Sequence, residues 1–136
     1  MRMVPLLAFA LVAYALAAFI SPSLPTSGIV DITLPSGAVW SFNLGDVVVA
    51  LGLVLLFLEI LKATRTSASA ALDHALSMLV CVAALLGFLL LPGLGTSDFF
   101  LLFLMTVIDV IAGFTVSLAG ARRDIGYGGW PGDGNQ

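Results

Sequence analysis

Four apolar stretches, Val4–Ile20, Val47–Leu61, Ala75–Leu91 and Phe99–Leu118, take up about half of this chain and limit what it can fold into. A helix rises about 1.5 Å per residue and the hydrocarbon core of a bilayer is about 30 Å thick, so a span needs about 17–25 apolar residues. The first, third and fourth stretches meet that length. The second reaches it with Leu44 at one end and the Lys62 stem at the other. Composition closes the alternative of a water-soluble domain: 60% of the 136 residues are apolar and 10% are charged. Soluble domains carry roughly a quarter charged residues, and thirteen charges do not cover a globule of this length.

The fold class expected is therefore an all-α membrane protein, a four-transmembrane-helix bundle with a short outer β-hairpin between helices 1 and 2. The spans fall at about residues 4–20, 46–62, 72–91 and 98–119, within a single membrane domain covering 1–124. The distribution of basic residues sets the threading. Arg2 precedes the first span, Lys62 and Arg65 lie between the second and third, and Arg122 and Arg123 follow the fourth. The loops Ser21–Asp46 and Pro92–Asp98 contain neither Lys nor Arg. By the positive-inside rule both termini are cytoplasmic, and the expected location is a bacterial inner membrane. Residues 1–27 also have the pattern of a signal peptide, with Arg2, an apolar core and small residues around Ala15 and Ala17; the mass of the mature chain separates the two readings.

Within Ser21–Asp46 the pattern changes period. The Pro22 and Pro25 segment stops the first helix, after which Val30, Ile32 and Leu34 alternate with polar residues. Beyond Pro35-Ser36-Gly37-Ala38, Trp40, Phe42 and Leu44 resume the alternation. Period-two patterning around a Pro/Gly turn predicts a hairpin over 29–44 with one apolar face. A lone two-stranded hairpin is marginal in water, so that face needs a support. The simpler expectation is a cap lying on its own helices. The alternative is an outer partner surface, formed by Val30, Ile32, Leu34, Trp40 and Phe42, that accepts a strand from another protein. Residues 125–136, rich in glycine, read as a flexible cytoplasmic tail.

Polar residues inside the spans are few. Asp109 sits in the middle of the fourth span, where an aspartate costs about 3 kcal/mol on insertion scales. At about 100° per residue, Thr106, Asp109, Gly113, Ser117 and Gly120 share one stripe, opposite Leu101, Leu104, Ile108, Ile111 and Leu118. Small and polar residues on one face let helices approach and hydrogen-bond in lipid, so Asp109 is expected to face protein. On the third span Asp73, His74, Ser77, Cys81 and Ala84 share an arc. The short Pro92–Asp98 turn makes the two spans antiparallel neighbours, which aims Asp109 at Ser77, Cys81 or Ala84. The candidate intramembrane polar site is thus Asp109, Thr106, Ser77 and Cys81. Asp109 has three readings: a neutral structural acid, a partner for a basic residue of another subunit, or a proton or cation site. On the first span Ala10, Ala13 and Ala17 share a face suited to close helix packing.

Near the cytoplasmic ends, Glu59, Asp73, His74, Arg122 and Arg123, with Lys62 and Arg65, form a candidate charge cluster. Its simplest reading is a set of screened surface pairs worth little each. One histidine and one cysteine fall short of the three or four ligands a metal needs, and Cys81 has no disulfide partner in the chain. No catalytic triad or phosphate loop is present, so no enzyme activity and no cofactor is expected. Five basic residues against eight acidic ones provide no nucleic-acid surface. The expected partners are the bilayer and other membrane subunits or further copies of the chain.

Two functions follow. The first is an accessory or assembly subunit bound to other membrane proteins. The second is a small homo-oligomeric proton- or cation-coupled transporter or channel. In size and plan, four short helices with a buried acid, the chain resembles the small multidrug resistance transporters. That resemblance implies a homo-oligomer using an essential carboxylate. The family's carboxylate is a glutamate of the first helix, whereas here the first helix has no acid and Asp109 lies in the last.

Overall fold

The computed structural model describes residues 4–64 and 70–127. Its elements run α1 (Leu6–Ile20), β1 (Gly28–Thr33), β2 (Val39–Asn43), α2 (Leu44–Ala63), α3 (Ala70–Leu90), a single 3-10 turn at Pro92–Leu94, and α4 (Ser97–Tyr127). The protein is mostly helical, with an antiparallel two-stranded hairpin between the first two helices. Three segments are long and apolar enough to cross a membrane: Leu44–Ala63, Leu72–Leu90 and Ser97–Ala119.

Helix boundaries differ from the sequence expectation in α1, α2 and α4. α2 is longer than expected because Asn43 starts it with a capping box: its side chain accepts from Asp46 N at 3.0 Å, and the Asp46 carboxylate accepts from Asn43 N at 2.9 Å. Leu44 therefore belongs to α2 and not to the hairpin. α1 is shorter, 15 residues between Pro5 at its N-cap and Ser21 at its C-cap, or about 22 Å of helix. At the other terminus α4 continues to Tyr127, so residues 125–127 are helical where a flexible tail was expected. Residues 128–136 lie outside the described residues.

α4 is the hub. It packs along α2 and α3 and also touches α1, while α1 packs on α2. α2 and α4 run in the same direction from the end that carries the hairpin, and α1 and α3 run against them. The opposite end, which carries Lys62, is called the basic end below. α1 is tied at both ends to α2. Leu6 N donates to the Glu59 carboxylate at 2.7 Å, and beyond its other end Gly45 N donates to Pro25 O at 2.7 Å. α1 thus spans the same height as Gly45–Glu59.

The core centres on Leu7, Ala10, Leu11, Tyr14, Val48, Leu56, Leu102 and Met105. At mid-height Gly52 lets α2 approach α4, for a Cβ there would lie 2.6 Å from Leu102 Cδ2 and 3.2 Å from Met105 Sδ. The buried face of α1 is Leu7, Ala10, Leu11, Tyr14 and Ala18. The expected alanine face is thereby corrected: Ala10 is buried, but Ala13 is exposed. Bulky Leu7, Leu11 and Tyr14 fill the space between α2 and α4, which rotates α1 away from Ala13. Leu101, Leu104, Ile108, Ile111 and Leu118 are all exposed, as the wheel of α4 requires. With large apolar side chains exposed along every helix, the bundle surface is suited to lipid.

In the hairpin Val30 pairs with Phe42 and Ile32 with Trp40, which puts the expected apolar residues on one face. Gly37 closes the turn at φ 84°, in the left-handed region that glycine tolerates. The expected cap on the helices does not form. Every residue of β1 is exposed, and Val39, Trp40 and Ser41 are exposed in β2. The reason is the connection: the capping box and the Leu44 N to Ser27 O bond of 3.2 Å launch α2 directly from β2. The sheet therefore projects beyond the bundle instead of folding back over it.

Candidate functional site

The buried polar residues gather in the half of the bundle toward the basic end. Glu59 from α2, Ser77 from α3, and Thr106 and Asp109 from α4 are each less than 10% exposed. Asp109 faces inward because it shares the α4 stripe with Thr106 and Gly113. Ser77 lies within hydrogen-bonding reach of its carboxyl. Of the three neighbours expected for Asp109, Ser77 is thus the one that meets its carboxyl. Ala84 is buried further toward the hairpin end, and Cys81 is half-buried. The turn at Pro92–Leu94 sets this register by starting α4 at Ser97. Thr106 returns its hydroxyl to Phe103 O at 2.6 Å, so it is satisfied within its own helix. Ser117, expected on the same buried stripe, is exposed and bonds back to Gly113 O at 2.8 Å. Such back-bonding hides a hydroxyl from lipid.

The charge cluster expected at the surface is instead joined to this polar core. Glu59 is 5% exposed, which corrects its reading as a screened surface group. One carboxylate oxygen takes the Leu6 N–H, supplying the cap that Pro5 cannot give to α1, and the other accepts from Lys62 Nζ at 3.1 Å. Lys62 Nζ also lies 3.6 Å from Asp73 Oδ2, which ties α2 to α3. His74 packs on Gly113, where a Cβ would lie 2.6 Å from its Nδ1, and meets the Phe114 ring edge-on at 4.5 Å. Asp73 Oδ1 and His74 Nε2 are buried without a hydrogen-bond partner among the described residues. Arg122 and Arg123 fall on α4, but their side chains lie outside the described residues. Gly113, which His74 packs on, lies one turn beyond Asp109 on α4, and Ser77 lies one turn beyond His74 on α3. The two candidate sites expected separately, mid-membrane and interfacial, are therefore continuous.

A second polar contact, missed in the sequence, lies at the hairpin end. The Tyr14 hydroxyl is 2.6 Å from Thr96 Oγ1, which also accepts from Phe99 N at 3.3 Å and so starts α4. The Asp98 carboxylate lies against Gly45 at the start of α2, in the space a Cβ would need. A tyrosine in an otherwise apolar helix, in line with Leu7, was the available signal. No group of three or more potential metal ligands occurs among the described residues. No family model matches the chain, and neither a curated protein nor a solved structure matches it.

Proposed function

We propose that this chain is a multi-pass membrane subunit that assembles with another integral membrane protein, engaging it through the hairpin. The observation that carries this reading is the hairpin's uncovered apolar face. Val30, Ile32 and Trp40 are each more than 40% exposed and lie beside the half-buried Phe42. Trp40 and Phe42 pack edge-on at 5.3 Å, making a preformed aromatic ridge. A two-stranded sheet with both edges open is marginal by itself, and added strands or an apolar surface stabilise it. The hairpin leaves the membrane domain at the start of α2, so the partner must rise beside it. A neighbouring membrane protein does so. In this reading the hairpin faces outward and α1 completes a four-span bundle.

The polar core favours this over the transporter reading within a single chain. Toward the hairpin the space between the helices is filled by Leu102, Phe99, Leu94 and Leu11, which leaves Asp109 without a polar route to that end among the described residues. Purification of the tagged full-length chain in a mild detergent, followed by native mass spectrometry, tests the proposal. A second membrane protein is expected with the wild type and is lost from Trp40→Ser/Phe42→Ser. Recovery of this chain alone from both refutes it.

A further inference from the structure

We propose that Asp109, His74 and Asp73, together with Glu59 and Lys62, form a proton-binding site within the bundle, entered from the basic end and closed toward the hairpin. The inference does not depend on the partner proposed above.

The argument starts from charge. α2 contributes Glu59 and Lys62, α3 contributes Asp73 and His74, and α4 contributes Asp109. α1 presents the Leu6 backbone N–H. Three carboxyl groups thus face one ammonium among the described residues, and Lys62 is already shared between Glu59 and Asp73. With His74 neutral and every carboxyl ionised, these five described groups would together carry two net negative charges, at a helix end among lipid-facing surfaces. Such charges are costly there, and a proton is the smallest species that removes one. Hydrogen bonding points the same way. Among the described residues Asp73 Oδ1 has no donor and His74 Nε2 no partner, and both atoms are buried in the same turn of α3. A proton on His74 or on a carboxyl supplies the missing donor.

Access is one-sided. The side chains of Lys62 and Asp73 retain 29% and 22% exposure at the basic end. On the other side of Asp109, Leu56, Leu102 and Met105 are buried and apolar. Gly113 matters because it gives the His74 ring its place against α4. A proton that changes the charge of His74 or Asp109 therefore acts directly on the α3–α4 contact.

The test uses full-length protein in phosphatidylcholine vesicles, followed by infrared spectroscopy as the pH is stepped. The wild-type minus Asp109→Asn difference spectrum is expected to contain a carboxylic-acid C=O band that titrates. Its midpoint should move by about one pH unit or more in His74→Gln, the coupling at which two sites titrate together. Asp31→Asn, in the exposed hairpin, should leave that band unchanged. Should Asp109→Asn fail to fold, [13C]aspartate labelling of the wild type and of His74→Gln asks the same question without it. A label-sensitive band whose midpoint shifts supports the site. Titrations that are identical with and without His74, or a difference spectrum without a titrating C=O band, overturn it. Vesicles loaded with a pH dye should show proton flux at the lipid background. Flux abolished by Asp109→Asn would overturn the closed side.

Discussion

The two halves of the bundle are held together in different ways. Toward the hairpin the helices meet through shape: Leu11, Tyr14, Val48, Leu94, Phe99 and Leu102 interlock, and the Tyr14–Thr96 bond is an addition to a packed interface. Toward the basic end they meet through polar groups: Glu59 joins α2 to α1, Lys62 joins α2 to α3, and Ser77 meets Asp109 between α3 and α4. In lipid the hydrophobic effect does not drive helices together, so packing and interhelical hydrogen bonds remain. The apolar half relies on the first and loses little when one polar group is removed. The polar half relies on the second, where each removal leaves another buried group without a partner.

Substitutions can break that contrast. Glu59→Ala should have the largest effect, about 3 kcal/mol. This is the lower end for a broken buried pair, because Lys62 keeps Asp73 and is partly exposed. Unfolding in mixed micelles, followed by helical circular dichroism, measures it, and α1 should loosen first. Gly52→Val places a side chain against Leu102 and Met105, and overpacking of this kind costs about 1–3 kcal/mol. The same assay should show a loss within that range, smaller than for Glu59→Ala. Tyr14→Phe removes a hydroxyl while keeping the ring on Phe99, and interhelical bonds in membranes average about 0.6 kcal/mol. If it proved as damaging as Glu59→Ala, the two halves would not differ as described. Trp40→Ser/Phe42→Ser should change bundle unfolding least, within about 0.5 kcal/mol, since both lie outside the core. A larger loss would mean that the hairpin supports the helices after all.

Much of the polar half was legible because helical periodicity is local. The stripe of Thr106, Asp109 and Gly113 follows from residue spacing alone, and the short Pro92–Asp98 connection fixes its neighbour as α3. Glu59 was legible only as a charge near a helix end. Its role as the cap of α1 joins residues 53 positions apart, and it exists only because α1 and α2 pack at equal height. Tyr14 and Thr96, 82 positions apart, escaped notice for the same reason. On α1 an alanine stripe and a Leu/Tyr stripe competed for the same buried side. Their spacing does not choose between them; the volume to be filled between α2 and α4 does.

The hairpin divides along the same line. Alternation by itself determined the strands, the turn and which side chains share a face, because successive residues of a strand point to opposite sides. Whether that face is covered depends on the angle at which Asn43 and Asp46 launch α2, a property of the assembled junction. So too with charge: composition determined that the helices present surfaces suited to lipid, and the basic residues of the sequence fall near the ends of the spans. Only the packing of three helices brought the half-buried Lys62, Asp73 and His74 beside the buried Glu59 and toward the end of the bundle where Asp109 lies, since side chains distant in the chain acquire common surroundings and common hydrogen bonds only when their helices meet.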